Sequence, residues 1–183
     1  CDFDHSKNRY IIVIVDQGTR WISATSVRTK TPLDAVKALR IDARQGGGYS
    51  SKYRSDNGGE WSGEFDRELA SRFIPIVKSI LLKSTNNSQH ERMHQIINEG
   101  VRCLLTQIGL PYTFWSDAVA HFVYQYNHSF VSSLDEKTPY ERRFQQSSPE
   151  IRELRPFGCK VYYYAEGDRL PHDKRKFEER ARR

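Results

Sequence analysis

The chain has 183 residues, of which 37% are hydrophobic and 12% aromatic, enough to bury the core of one domain. Its net charge of +6 favours a polyanionic partner, and no apolar run is long enough to cross a membrane, so we expect no membrane association. Three widely spaced cysteines argue against a disulfide framework and a paired-cysteine zinc site, and they indicate a reducing compartment. Because the chain opens inside predicted structure, we expect it to be part of a longer protein.

The first half of the sequence predicts strands before helices. The apolar run YIIVIVD is typical of a strand buried on both faces, and RWISATSV, after the turn QGT, predicts its antiparallel partner. Pro32 begins a predicted helix that the glycines at 46–48 end. A short strand, SKYRS, leads into DNGGEW. The next helix is predicted from the apolar residues Phe65, Leu69 and Phe73.

Two long helices dominate the second half. An amphipathic helix is predicted from Gln89 to Ile108, and an aromatic-rich helix from about Tyr112 to Phe130. TPYER, LRPFGCKVYYY and the basic tail then predict a short helix, a strand and an extended exit. Helical spacing of one aromatic and aliphatic set predicts core or subunit-interface positions for it, not stacking on bases; the set is Trp115, Val119, Phe122 and Tyr126.

The stretch HERMH has the histidine spacing of zinc peptidases. His90 and His94 on one helix could hold zinc while Glu91 acts as the general base. The longer metzincin pattern fails, because Ile97 and Gly100 stand where it has a glycine and a third histidine. No distant glutamate stands out as a third ligand of another peptidase class. The sequence therefore favours other partners for the glutamate.

Three carboxylates stand where a two-metal nuclease needs them. Asp2 lies near the start of the first strand, Asp56 follows the strand SKYRS, and Glu91 lies in the first turn of the long helix. Carboxylate oxygens suit Mg²⁺, and two such ions can activate the attacking oxygen and stabilise the leaving oxygen of a phosphodiester. Any one of these acids alone would be an ordinary surface residue. Their joint placement indicates a metal site.

A family resemblance covers nearly the whole chain. YIIVIVDQGTRW, RSDNGGEW, LPYTFWSDAV, TPYER and LRPFGCKVYYY occur in the order and approximate spacing of the integrases of copia-type LTR retrotransposons, which the sequence resembles. The resemblance implies an α/β fold, an RNase H-like mixed sheet flanked by helices, with the catalytic core in residues 1–145 and a C-terminal extension with a strand and a basic tail in 146–183. It further implies a DDE-type enzyme that processes the 3′ ends of element DNA and joins them to target DNA. Two Mg²⁺ or Mn²⁺ ions are expected on Asp2, Asp56 and Glu91.

The loop before the third carboxylate departs from the family pattern. The family usually has a segment like TPQQNGVAER, and this chain has KSTNNSQHER, with Asn87 on the family asparagine and Ser88 in place of its glycine. This change favours one alternative, a catalytically silent or host-adopted integrase domain that binds DNA or protein. A second alternative is an RNase H-like nuclease that only hydrolyses. Asp16 resembles a family residue with a structural role, not a metal ligand.

The resemblance also implies partners and a compartment. We expect double-stranded DNA, bound chiefly through its phosphates because strand transfer accepts many targets, and a homodimer or higher multimer, because one carboxylate cluster cannot hold two DNA ends and a target. The expected location is intracellular, in the nucleus or a cytoplasmic particle. Candidate DNA contacts on the loop, the long helix and the tail are Lys83, Asn87, Gln89, Arg92, Gln95, Asn98, Lys174, Arg175 and Lys176.

Overall fold

The predicted strands and helices occur in the predicted order, and the structure adds two short strands that were not predicted, Ile76–Lys78 and Ala181–Arg182. The computed structural model describes residues 3–78, 88–131, 134, 136–149, 155–161, 163–164 and 181–182. The strands are β1 (Tyr10–Val15), β2 (Ile22–Val27), β3 (Tyr53–Ser55), β4 (Ile76–Lys78), β5 (Tyr163–Tyr164) and β6 (Ala181–Arg182). The helices are α1 (Pro32–Gln45), α2 (Glu64–Ala70), α3 (Ser88–Ile108), α4 (Trp115–Asn127) and α5 (Pro139–Phe144), with 3-10 turns at Gly59–Trp61 and Tyr112–Phe114.

The β1–β2 hairpin lies between two layers of helices. The strands are antiparallel, as predicted, and Tyr10 pairs with Val27. Successive side chains of a strand point to opposite faces. Ile12 therefore packs in a core with α1 and α2, whereas Val13 packs in a second core with α3 and α4. Since helices cover both faces, the strand sequence is continuously apolar, and the prediction of two-sided burial is confirmed.

Strand pairs of both directions are present, in agreement with a mixed arrangement. β3 and β4 are parallel, with Tyr53 opposite Ile76, and β5 is antiparallel to β6. Tyr53 belongs to the same buried cluster as Ile12 of β1. β3 therefore packs in the core beside the hairpin, although among the described residues no sheet joins the two pairs.

Two helices begin with the same local chemistry. α1 and α5 each start with Thr-Pro and have an acid two residues after the proline. In α1 the Thr31 hydroxyl accepts a hydrogen bond from the Asp34 amide at 3.3 Å, and the Asp34 carboxylate accepts one from the Thr31 amide at 3.2 Å. Thr138 and Glu141 form the equivalent capping box in α5. Proline suits the first helical position because an N–H group there would have no partner within the helix. The predicted helix starts at Pro32 and in TPYER are confirmed.

The predicted amphipathic helix is α3, and its apolar stripe packs against the hairpin and α4. Its buried side chains are Met93, Ile97, Val101 and Leu105. Gly100 lets the Phe122 ring of α4 lie directly on the α3 backbone, where a Cβ atom would overlap it. Trp115 and Val119 are buried in the same core, as predicted for α4. None of the helices within the described residues is both long and apolar enough to pass through a bilayer.

The predicted end of the second long helix is wrong by three residues. α4 ends at Asn127, and Phe130 lies outside it with 72% of its surface exposed. The Asn127 side chain turns toward β2, where Oδ1 accepts from the Ile22 amide at 2.9 Å and Nδ2 donates to the Ile22 carbonyl at 2.8 Å. The side chain thus substitutes for a neighbouring strand at the edge of β2, and aromatic content alone gave no signal of this.

The assignment of Phe73 to the apolar stripe of α2 is also wrong. Phe73 follows the helix with a left-handed φ of 57° and is 95% exposed. Its amide bonds to the Ala70 carbonyl at 3.0 Å, and the Ile74 amide bonds to the Leu69 carbonyl at 3.0 Å. These are the two hydrogen bonds of a Schellman motif, in which glycine usually occupies the left-handed position. The helix-ending geometry therefore overrides the apolar spacing.

We expect Phe73→Gly to raise the free energy of unfolding by about 0.5–1 kcal/mol. A bulky residue in the left-handed region costs about 1–2 kcal/mol, and the greater freedom of glycine in the unfolded chain offsets part of that gain. The exposed ring loses little packing. Urea unfolding followed by circular dichroism measures the change. Phe73→Ala, which keeps a Cβ atom at the same φ, should give a smaller gain, and equal gains for both variants would contradict the backbone explanation.

A buried carboxylate on α1 lacks a hydrogen-bond partner. Asp42 is 1% exposed, and neither of its oxygens is hydrogen-bonded to any described group. Its charged neighbours are Arg143 of α5 and Asp16 at the end of β1. Burial raises the pKa of Asp42 to about 6; Arg143 opposes the shift and Asp16 adds to it.

The contribution of Asp42 to the stability of the fold should therefore fall as pH rises from about 4 to about 6. In this interval native Asp42 still holds its proton, whereas the unfolded carboxyl, with a pKa of 3.8, has released it. A difference of about two pKa units corresponds to about 3 kcal/mol. Asp42→Asn, which has the same shape and no charge, should remove this loss. Unfolding measured across the pH range tests it, and parallel pH profiles for the two proteins would contradict it.

Candidate active site

Asp56 directly follows β3 and begins a tight turn. Its Oδ1 accepts a hydrogen bond from the Gly58 amide at 3.1 Å, and the Trp61 amide bonds to the Gly58 carbonyl at 3.1 Å. The Trp61 ring packs edge-on against Phe65 of α2, with centroids 5.2 Å apart. A Cβ atom at position 58 would meet Asp56 Oδ1 and the Glu60 carboxylate. The turn thus holds an exposed carboxylate at the end of β3, a strand that Tyr53 anchors in the core.

Glu91 lies in the first turn of α3 and is exposed. An acid in this position is stabilised by the partial positive charge of the helix N-terminus. Met93 and Ile97 anchor the helix in the core beneath the hairpin. The packing of α3 therefore fixes the backbone that carries Glu91, while its carboxylate stays accessible to a ligand.

The start of α3 lies within electrostatic range of the end of β3. Desolvation lowers the pKa of the His90 imidazole, and the Asp56 carboxylate opposes that shift. Asp56 therefore acts on the helical turn that contains both His90 and Glu91, although the two acids are far apart in the sequence.

The two histidines of HERMH lie side by side. The ring centroids of His90 and His94 are 5.2 Å apart. Desolvation lowers the pKa of His94, and His90 and Lys30 lower it further, so both imidazoles are mostly neutral at neutral pH. Across the described part of the chain, no group of three or more His, Cys, Asp or Glu side chains is arranged to hold a metal. The zinc-peptidase hypothesis therefore finds no complete ligand set there.

The buried carboxylate of Asp4 fixes the turn that follows Asp2 through hydrogen bonds. Asp2 itself lies outside the described residues, so its role remains a prediction. Asp4 is 4% exposed and accepts hydrogen bonds from the amides two and four residues later and, at 2.9 Å, from Asn8 Nδ2. Burial alone would raise the pKa of Asp4, but hydrogen bonds from Ser116 and Asn8 lower it overall. The bond to Ser116 connects this turn with α4. Aspartate before a short polar turn is the only sequence signal for this role.

Among the described residues, Asp16 bonds to groups in the β1–β2 turn and in α5, not to Asp56 or the first turn of α3. Its Oδ2 accepts from Arg143 Nη1 at 3.1 Å, and its Oδ1 accepts from the Gly18 amide at 2.9 Å. Arg143 Nε also donates to the Gly46 carbonyl at 2.8 Å. Asp16 thus joins the β1–β2 turn to α5 and the end of α1, which agrees with the structural role expected for it.

Of the predicted DNA contacts, three have described side chains. Arg92, Gln95 and Asn98 are exposed on α3, and Gln95 Nε2 donates to Glu99 Oε1 at 2.8 Å. Gln89 lies in the first turn of α3 by its backbone. The remaining predicted contacts lie outside the described residues and stay predictions; they are Lys83, Asn87, Lys174, Arg175 and Lys176.

No family model matches the sequence, but known proteins resemble it in sequence and in structure. The chain is 31% identical over 158 residues to the Retrovirus-related Pol polyprotein from transposon TNT 1-94 of Nicotiana tabacum, a match that covers 85% of the chain and 12% of that protein. The chain therefore spans only a small part of that relative.

Two solved structures share the fold. The HTLV-2 integrase catalytic core domain, solved in complex with magnesium in a trimeric form, matches with a TM-score of 0.64 and 20% identity, over 78% of this chain and 90% of that one. The simian T-cell lymphotropic virus intasome, solved in complex with the PP2A regulatory subunit B56 gamma, contains a chain that matches with a TM-score of 0.66 and 23% identity, over 93% of this chain and 59% of that one. The chain is therefore a homologue of the Pol polyproteins of copia-type plant transposons, and its fold is the RNase H-like fold of retroviral integrase catalytic cores.

Proposed function

We propose that the chain is the catalytic core of a retrotransposon integrase, which cleaves a phosphodiester near each 3′ end of the element DNA and joins the new 3′ hydroxyl to target DNA. The observation that carries this proposal is that Asp56, at the end of β3, lies within electrostatic range of His90, in the first turn of α3, which also contains Glu91. Homology to transposon Pol polyproteins supports the same activity.

The chemistry of the donor set fits a divalent cation. Asp56 and Glu91 present exposed carboxylates, and Asp2 would supply the third from the segment before β1. Hard cations prefer oxygen ligands, and the HTLV-2 core was solved in complex with magnesium. When bound, two Mg²⁺ or Mn²⁺ ions would activate the attacking oxygen and stabilise the leaving oxygen of the phosphodiester.

The residues of the chain supply position and charge. The turn after β3 positions the Asp56 carboxylate, and the buried face of α3 fixes the backbone that carries Glu91. Gln95 and Asn98 lie about one and two turns after Glu91, on the same side of the helix. We propose that these amides and Arg92 contact the DNA backbone, because phosphate contacts suit a reaction that accepts many target sequences.

A joining assay tests the proposed function. A labelled duplex that carries an element-end sequence is incubated with the full chain, with and without Mg²⁺ or Mn²⁺. Metal-dependent shortening of the labelled 3′ end, followed by longer products from joining to a second DNA, is the expected result. Cleavage without joining would indicate a nuclease that only hydrolyses. Binding of DNA with neither reaction would indicate a catalytically silent domain.

We further propose that the chain self-associates. One compact domain with one carboxylate cluster cannot hold two DNA ends and a target together, and α4 and its flanking residues leave Tyr112, Tyr124 and Phe130 exposed at 54%, 46% and 72%. A symmetric contact between copies would cover such a surface. Sedimentation at micromolar concentration should show a dimer or a larger species. A strictly monomeric chain, with and without DNA, would contradict this proposal.

A further inference from the structure

The open end of the β1–β2 hairpin carries two arginines. The regular register ends at the pair Tyr10–Val27, and the Arg9 amide donates to the Val27 carbonyl at 2.9 Å. Arg28 directly follows Val27, and its guanidinium donates to the Ser6 carbonyl at 3.3 Å, on the segment that leads into Arg9. Both cations therefore lie at the same end of the hairpin. Like charges on neighbouring strands are destabilising unless an anion lies near them.

A lysine extends this positive surface. Lys30 follows β2, and its ammonium lies 5.1 Å from the centre of the Tyr10 ring. Arg9, Arg28 and Lys30 are all exposed, and no described carboxylate forms an ion pair with any of them. We call these three residues the hairpin-end patch. Its charge is uncompensated within the described structure.

Aromatic rings support the patch. The Arg9 guanidinium lies 5.8 Å from the centroid of Phe3 and 5.7 Å from that of Tyr10. Such contacts hold a cationic side chain extended while its charge stays in solvent. The Phe3 ring is itself 55% exposed. Cations interleaved with accessible aromatic rings are typical of surfaces that bind nucleic-acid strands.

The patch adjoins the proposed active site on two sides. Phe3, on which Arg9 stacks, directly follows Asp2 in the chain. On the other side, Lys30 lies within Coulombic range of His94, one helical turn after His90. A polyanion on the hairpin-end patch would therefore continue toward the end of β3 and the start of α3.

We propose that the hairpin-end patch binds the phosphodiester backbone of a nucleic-acid strand and guides it to the carboxylates at the end of β3 and the start of α3. That the bound nucleic acid leads to these carboxylates rests on the proposed function. That the patch binds a polyanion does not. The patch lies on the hairpin and shares no residue with the DNA contacts that the sequence predicts, so it adds a second set of phosphate contacts.

Binding measured without divalent metal tests this proposal. Arg9→Gln, Arg28→Gln, Lys30→Gln and the triple variant of the full chain are compared by fluorescence anisotropy on a labelled duplex and on a labelled single strand of the same mixed sequence. Each single substitution should weaken binding about tenfold. The slope of log K against log salt should become shallower by about 0.9 per cation removed on the duplex, or about 0.7 on the single strand.

The control is Arg67→Gln on α2, which removes one exposed positive charge outside the patch, 4.0 Å from the Glu64 carboxylate. It should leave the salt slope unchanged. Arg9→Lys should retain most of the affinity, which separates loss of charge from loss of folding. If the patch variants lose more affinity for the single strand than for the duplex, the ligand is an unpaired strand. If the two losses of affinity are equal, the ligand is the duplex backbone.

Two results would overturn the proposal. One is an unchanged salt slope in the triple variant, and the other is an equal loss for Arg67→Gln, which would indicate net charge and not the patch. Failure of the proposed function appears differently: the wild-type chain would show patch-dependent binding without any joining. Failure of the patch alone would leave joining intact and binding unaffected by the three substitutions.

Discussion

Replacing Asp56 with Asn, or Glu91 with Gln, is expected to reduce magnesium-dependent cleavage and joining at least about 1,000-fold, which corresponds to about 4 kcal/mol of transition-state stabilisation. Each change removes one anionic oxygen ligand from the proposed metal site. Both side chains are exposed and neither belongs to a buried cluster, so the melting temperature should stay within a few degrees of the wild-type value. Gel-based assays of both reactions, over a titration of Mg²⁺, measure the loss.

Glu136→Gln is the matched control for these variants. Glu136 is an exposed acid between α4 and α5 and belongs neither to the proposed metal site nor to the proposed DNA contacts. This variant should keep the wild-type rates. Asp2→Asn is expected to be as inactive as the other two carboxylate variants. If Asp2→Asn stays active while Asp16→Asn is inactive, the assignment of the first carboxylate is wrong.

Asn127→Ala is expected to lower the free energy of unfolding by about 3 kcal/mol. The side chain is 3% exposed and bonds to both the amide and the carbonyl of Ile22. Truncation leaves two buried backbone groups without partners, and each such group costs about 1–3 kcal/mol. Urea unfolding, with an unchanged dependence on denaturant concentration, is the appropriate measurement.

An asparagine on the surface provides the comparison for this prediction. Asn98 is exposed on α3, and Asn98→Ala should change the free energy of unfolding by less than about 0.5 kcal/mol. A loss at Asn127 no larger than the loss at Asn98 would show that water satisfies the Ile22 groups. The side chain would then not act as an additional strand at the edge of β2.

Elements with strong local signals could be predicted from the sequence. The continuous apolar run of β1 requires burial on both faces, and Ile12 and Val13 indeed enter different cores. The Thr-Pro starts of α1 and α5 carry their capping acids within three residues. In these cases the determining contacts lie close together in the sequence, so a pattern of neighbouring residues contains them.

The errors arose where a helix ends. Phe73 continues the apolar spacing of α2, but the Schellman hydrogen bonds to Leu69 and Ala70 end the helix first. Phe130 continues the aromatic content of α4, but the contact of Asn127 with Ile22 spans 105 residues of sequence. Side-chain spacing reports which face of a helix is apolar. It does not report the backbone groups that end the helix.

The site could be predicted only in part for a similar reason. Asp56 and Glu91 stand in motifs that resemble a family, so their residue types and order identified them. The closeness of His90 to Asp56 and of Lys30 to His94 depends on how α3 packs against the hairpin. No local pattern contains that packing, and the hairpin-end patch became apparent only from the strand register and the ring contacts.

The most direct test of the central claim is anomalous diffraction from crystals of the full chain soaked in Mn²⁺, which scatters anomalously and is an expected substitute for Mg²⁺ at oxygen ligands. The proposed function predicts an anomalous peak bound by the carboxylates of Asp56 and Asp2 or Glu91, and no such peak in crystals of Asp56→Asn. A well-occupied ion elsewhere, with Asp56 and Glu91 unbound and turned apart, would contradict the metal-dependent integrase site.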